Sequence, residues 1–277
     1  MKQSKKKQNW FMKFPVVPAF ILPFVSTLAA IVLSGIPTAA VINAAPDLIS
    51  FYGEIAGIMM SVVRILIAFI IIIIMKAGTG RTFQFGFHMR NIRLSFILSF
   101  FCILLIADNV IEGLLFSDGL QTSMIGIAAA VIGGIAPGFF EEVVCRGFVV
   151  SNMMDKWQGR KNYVLKSVLA SGIIFGLMHL MNLGGANTAE TIMQIFYAAG
   201  LGIYFGAVYV RTRNLWGTVV MHALVDITYN MFLMPEGFWM KDLIIGIMIA
   251  VVYTVIGLYL IRPVKQKEIA ELWEGKQ

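Results

Sequence analysis

Within the apolar run that begins near Ser123, the stretch FFEEVVCRGF (Phe139 to Phe148) carries two adjacent carboxylates, Glu141 and Glu142, and a guanidinium, Arg146. Placing an ion in hydrocarbon is costly, so three ionisable groups this close together need a purpose. Two later apolar runs each carry one histidine: His179 in FGLMH, and His222 in HALVD, four residues before Asp226. Residues four apart share a helix face. Glu142 and Arg146 can therefore pair on one helix, and His222 and Asp226 sit together on another. Glu141 points about 100° away from Glu142, and its own i+4 neighbour is the uncharged Cys145. The spacing assigns Glu142 and Arg146 to a structural ion pair and leaves Glu141 as the free carboxylate. Glu141, His179, His222 and Asp226 together could activate water and stabilise an oxyanion. The same four could bind a divalent metal, since two histidines and a carboxylate are a known zinc arrangement. HExxH and GxSxG are absent, and no serine nucleophile stands near the histidines. Two other readings stay open: plain packing polarity, with each histidine bonded to a neighbouring backbone, and a proton or ion pathway.

Groups spread over three apolar runs must be positioned by membrane-spanning helices. The chain has 277 residues, of which 58% are hydrophobic and 13% charged, with mean hydropathy +0.81. A soluble domain carries about twice that charge. The apolar blocks are about 20 residues long, enough to cross a bilayer as helix. The pattern predicts an all-α polytopic bundle of about eight transmembrane helices, forming a single integral membrane domain over 1–277. The expected spans are Val16–Ile42, Ile55–Met75, Leu94–Ile111, Ser123–Val150, one ending near Leu183, Thr191–Val210, Leu215–Met234, and one ending near Ile261. Pro23 and Pro37 are expected to bend the first, and Pro137 to loosen the backbone before Glu141. Gly133, Gly134, Gly138, Gly202 and Gly206 mark close helix approaches. Arg64, within the second span, should face protein; Asp108 is its conceivable partner.

The net charge of +7 is explained by basic loops. Lys and Arg collect in the N-terminal tail, in the loops after the second, fourth and sixth spans, and in the C-terminal tail, while the opposite loops hold only Lys241. The positive-inside rule then puts both tails, 1–13 and 262–277, in the cytoplasm of a cell-membrane protein. Trp10 and Phe11 belong at the interface. No basic stripe with interleaved aromatics points to nucleic acid. Cys102 and Cys145 are buried apolar residues with no disulfide or CxxC pattern, and His88 is a lone loop histidine.

The order EExxxR (Glu141, Glu142, Arg146), FxxxH (Phe175, His179) and HxxxN/D (His222, Asp226) resembles the CPBP family of CAAX-processing type II proteases and bacteriocin-processing or immunity proteins, also called Abi. The resemblance covers about Gly133 to Asn230, within a motif-bearing core of about 123–234. It implies an eight-helix intramembrane endopeptidase acting on a membrane-associated peptide or protein, which can be lipid-modified. By that analogy Glu141 and His179 activate the attacking water, His222 and Asp226 line the oxyanion hole, and Glu142, Arg146 and Phe175 orient them. No cofactor is required in this scheme, though zinc is the alternative. It equally allows a non-catalytic immunity or scaffold protein, and a transporter stands behind both. The last position is Asn in the prenyl-protein enzymes. Asp226 donates to an oxyanion only when protonated; otherwise it orients His222 or ligates metal.

Depth sets a further condition. His222 lies roughly 10 Å into its span, and His179 about 24 Å from Tyr163. The two meet if Lys156 to Lys166 lies along the interface and the fifth span starts later. The site would then open toward the cytoplasm, or sideways into the inner leaflet.

Overall fold

The computed structural model describes residues 16–79, 85–183, 188–235 and 240–275. The basic tail over 1–13, with Trp10 and Phe11, lies outside them. The described residues form nine helices: α1 (Val16–Ala44), α2 (Tyr52–Thr79), α3 (Ile92–Phe116), α4 (Met124–Trp157), α5 (Tyr163–Asn182), α6 (Thr188–Thr212), α7 (Trp216–Asn230), α8 (Met240–Leu260) and α9 (Pro263–Trp273). Seven of these, α1 to α6 and α8, are long and apolar enough to cross a membrane, so the chain is a multi-pass membrane protein. Pro23 and Pro37 lie inside α1 without ending it, and α4 stays α-helical through Pro137.

The exception to the expected count of eight is α7. It has 15 residues and is about 22 Å long, short of a hydrocarbon core of about 30 Å. Tertiary contacts hold both of its ends. At the start, Asn214 donates from Nδ2 to the carbonyls of His88 (2.7 Å) and Arg90 (2.9 Å), and its Oδ1 accepts from the Trp216 amide at 2.9 Å. The Leu215 amide donates to the Gly86 carbonyl. Gly86 has φ +89°, and a Cβ there would lie 3.0 Å from backbone atoms of Arg213 and Leu215, so glycine alone suits this approach. At the other end the chain leaves the helix to pair with 118–121: Gln121 N donates to Met231 O, and Leu233 N to Gly119 O.

The sequence placed 156–166 along the interface with a late start for the fifth span. The structure differs. Helix continues through Ser151–Trp157, and α5 begins at Tyr163 behind a turn in which Asn162 is left-handed (φ 59°). His179 and His222 nevertheless meet the same ring, Phe175, at 5.2 and 5.9 Å, and the α6–α7 turn at 213–215 is held by the 85–91 loop.

α6 runs through the centre, with Ile203 to Val210 all buried, flanked by α5 and α8, while α4 packs between α2 and α7. Small residues let these helices touch backbone to backbone. A Cβ on Gly134 would lie 2.6 Å from the Ile227 amide, and one on Gly138 would lie 2.8 Å from the Ala223 amide. Across α5 and α6, a Cβ on Gly202 would lie 2.7 Å from Gly172 Cα. Gly134→Ala should therefore push α4 and α7 apart and cost about 1–3 kcal/mol of stability, read as a lowered thermal unfolding midpoint in detergent. An unchanged midpoint would mean that the crossing is looser than the structure shows.

Candidate active site

The α4–α7 crossing brings the two motif-bearing helices together. Around the acidic pair α4 changes winding: Met124–Glu142 is α-helix, Val143–Val150 is π-helix, and α-helix resumes at Ser151. The wider i→i+5 winding shifts the carbonyls from their usual partners, and side chains meet two of them. Ser171 Oγ donates to Cys145 O at 3.1 Å, and Asn152 Nδ2 to Phe148 O at 3.1 Å. Every residue of Val143–Val150 is buried.

Glu142 and Arg146 form the ion pair that their spacing indicated, 2.7 Å apart, with both side chains fully buried. The guanidinium also donates to Gly202 O at 3.3 Å. Its carbon sits 4.5 Å from the ring centroid of Phe175 and 5.2 Å from that of Phe205, a cation–π cage. Glu142 has a second partner that sequence spacing could not reveal. Its Oε1 accepts from His222 Nδ1 at 3.2 Å, which fixes the ring, and Phe205 stacks on that ring at 5.4 Å. His222 Nε2 faces two further carboxylates, Glu141 Oε2 at 3.8 Å and Asp226 Oδ2 at 3.7 Å. His222 is thus the hub, joined to all three acids.

His179 begins the 3-10 turn that ends α5. Its Nδ1 lies 2.9 Å from Phe175 O. A carbonyl only accepts, so Nδ1 carries the proton and Nε2 keeps its lone pair in the neutral ring. Phe175 stands between the histidines, edge-on to His179 at 5.2 Å and to His222 at 5.9 Å. Among the described residues no ion pair joins His179 to Glu141. None of their groups of three or more His, Cys, Asp or Glu could hold a metal ion. Of Glu141, His179, His222 and Asp226, the set that the sequence offered as ligands, Glu141, His222 and Asp226 lie together and His179 stands across the Phe175 ring.

Exposure is graded along the cluster. The side chains of Glu142 and Arg146 are 0% exposed, His222 10%, Glu141 13% and Asp226 29%. The buried π segment and the 85–91 loop pack together at the end nearest the start of α7, on the cytoplasmic one of the two routes, cytoplasmic or lateral, that the sequence allowed. Asp226 is the most exposed of the five and marks the open rim, and α6 and α7 touch sparsely.

Residues 122–228 match the family model described as Type II CAAX prenyl endopeptidase Rce1-like. Searches of curated proteins and of solved structures give no match.

Proposed function

From a domain at residues 122–228 of the Rce1-like type II CAAX prenyl endopeptidase family, a class of membrane proteases, we propose that this chain is an intramembrane endopeptidase that hydrolyses a peptide bond of a membrane-associated peptide or protein. The observation that carries the reading is the joining of His222 to Glu141, Glu142 and Asp226 in one largely buried cluster. Polar groups at this density inside an apolar bundle are suited to water activation rather than to packing.

In the proposed reaction Glu141, the partly exposed acid of α4, takes a proton from water as the oxygen attacks the carbonyl carbon. The negative charge that develops on the carbonyl oxygen is met by the Nε2 proton of His222. His222 is held by Glu142 on one nitrogen and flanked by Asp226 at the other. Glu141 then passes its proton to the departing amide nitrogen as the C–N bond breaks. His179 Nε2 serves as a second acceptor for the same water, from beyond Phe175. No metal takes part in this scheme.

We assign the chain of a lipid-modified substrate to the face of α6 that turns toward α8. An apolar groove of about 510 Å³ lies between α6 and α8, lined by Ile192, Met193, Phe196, Leu243, Ile247 and Val251. We place both termini in the cytoplasm: Lys156, Arg160, Lys161, Lys166, Arg211, Arg213 and Arg262 share one side, while Lys241 on the other is bound to Glu112 and Asp242.

The test is cleavage of short lipid-modified and unmodified peptides by purified protein in detergent, with and without a strong chelator. The expected result is cleavage that the chelator leaves within about twofold, because the acid–base chemistry rests on side chains alone. Cleavage abolished by the chelator would overturn the metal-free scheme. No cleavage of any peptide, with biological function kept after Glu141→Gln, would replace the protease by a scaffold.

A further inference from the structure

One charge in the middle of the bundle is used by nothing described so far. Arg64 is the thirteenth of the 28 residues of α2 and is half-buried. Its Nε is buried with no hydrogen-bond partner, and among the described residues no acid lies within ion-pair distance of it. An arginine at this depth faces the bundle interior and a charge or cavity there. Asp108, whose pairing with Arg64 is possible in the sequence but unsupported by spacing, lies instead among Glu112 and Lys241.

Arg64 shares a face of α2 with the buried residues Ser61, Ala68 and Ile71, and helix register sets its level. Phe69 of α2 packs on Phe139 of α4, with ring centroids 5.4 Å apart. Five residues earlier on α2 is Arg64, and five residues earlier on α4 is Gly134. The two sequence-parallel helices thus bring Arg64 and Gly134 to one level, about 7.5 Å from the Phe69–Phe139 contact. Gly134 in turn lies against Ile227 and the Ala223 carbonyl of α7, which is the turn that holds Asp226. At this level α4 carries Gly133 and Gly134, neither of which has a side chain. The charged groups acting on Asp226 are His222 on its own helix, Glu141 and Glu142 on α4, and Arg64 on α2.

We propose that Arg64 is a positioning residue that acts through Asp226: its guanidinium, beyond direct ion-pair distance, holds the Asp226 carboxylate against His222 Nε2. The catalytic part of this inference rests on the protease reading; the coupling of the two residues does not. Arg64 acts on Asp226 from the side of α2, a helix that takes no part in the α6–α7 seam. In this arrangement Asp226 steadies the imidazole by its charge, 3.7 Å from Nε2, and leaves the Nε2 proton free to donate to the oxyanion.

The experiment compares Arg64→Gln, Arg64→Lys, Asp226→Asn and the Arg64→Gln/Asp226→Asn double variant, all in the full chain. It reads kcat, KM and the thermal unfolding midpoint. Arg64→Gln should lower kcat by about tenfold or more, with KM within about twofold, as expected for a misplaced catalytic group. Arg64→Lys should recover most of the loss. Once Asp226 is Asn, Arg64→Gln should cost nothing further, in kcat or in midpoint. Losses that multiply independently would overturn the proposal, as would a rise in KM confined to peptides with a free carboxylate, which would make Arg64 a substrate anchor. If no peptide is cleaved, the midpoints still decide. Shifts that fall short of additive uphold the coupling and place the failure in the protease reading, and additive shifts overturn the coupling itself.

Discussion

Replacing Glu141 by Gln should lower peptide cleavage by about 10² to 10⁴-fold, the range supplied by a positioned general base, and leave the protein folded. The amide keeps the size and reach of the carboxylate but cannot take a proton from water. The fold tolerates the change because Glu141 is not part of the buried pair. Its nearest charged contact is His222 Nε2 at 3.8 Å, beyond hydrogen-bond length, and the side chain is partly open. The thermal unfolding midpoint should therefore move by a few degrees at most, while kcat collapses and KM changes little. A Glu141→Gln protein with cleavage within about tenfold of the parent would remove Glu141 from the chemistry and return the site to its other acids. Loss of fold together with activity would show that Glu141, like Glu142, is structural.

Arg146→Met should have the larger effect on stability. The guanidinium is fully buried, 2.7 Å from Glu142, and enclosed by Phe175 and Phe205. Methionine leaves a carboxylate in the core with only His222 for company. Removing one member of such a buried pair costs about 3–5 kcal/mol, enough to deplete the folded protein in membranes. The double change Glu142→Leu/Arg146→Met removes both charges and should regain much of that loss, because apolar replacements of buried pairs are often neutral. It should not regain cleavage, since His222 Nδ1 has then lost its acceptor and the ring is free to turn. Folded yield by size-exclusion chromatography and cleavage by the recovered protein separate the two effects. A double variant that cleaves normally would show that Glu142 has no part in orienting His222.

The legible parts of this site are the local ones. Glu142–Arg146 and His222–Asp226 follow from i,i+4 spacing on a helix, and both distances bear this out, at 2.7 and 3.7 Å. The glycines of α4 announced a close approach. They could not name its partner, because identifying α7 depends on the fold. For that reason the bond from His222 to Glu142 was missed, and so was Phe205, which reads as one more apolar residue of α6 until it is seen stacked on the imidazole. Gly172 carried a signal of the same kind as Gly202 and was passed over. The length of α7 was misjudged because hydropathy runs on to Met234, whereas the helix is ended by backbone bonds between 231–233 and 118–121. The π winding of Val143–Val150 has no local spelling. Only the freed carbonyls, met by Ser171 and Asn152, reveal it.

The closed end and the open rim of the cluster bear on how substrate is counted. For a peptide that enters sideways to Asp226 from the lipid phase, supply depends on molecules per unit area of bilayer rather than per litre of buffer. In mixed micelles or liposomes the rate should then follow the mole fraction of peptide in the lipid. Adding inert lipid at fixed total peptide should slow the reaction, and a fully water-soluble peptide should be a poor substrate even where its sequence suits the site.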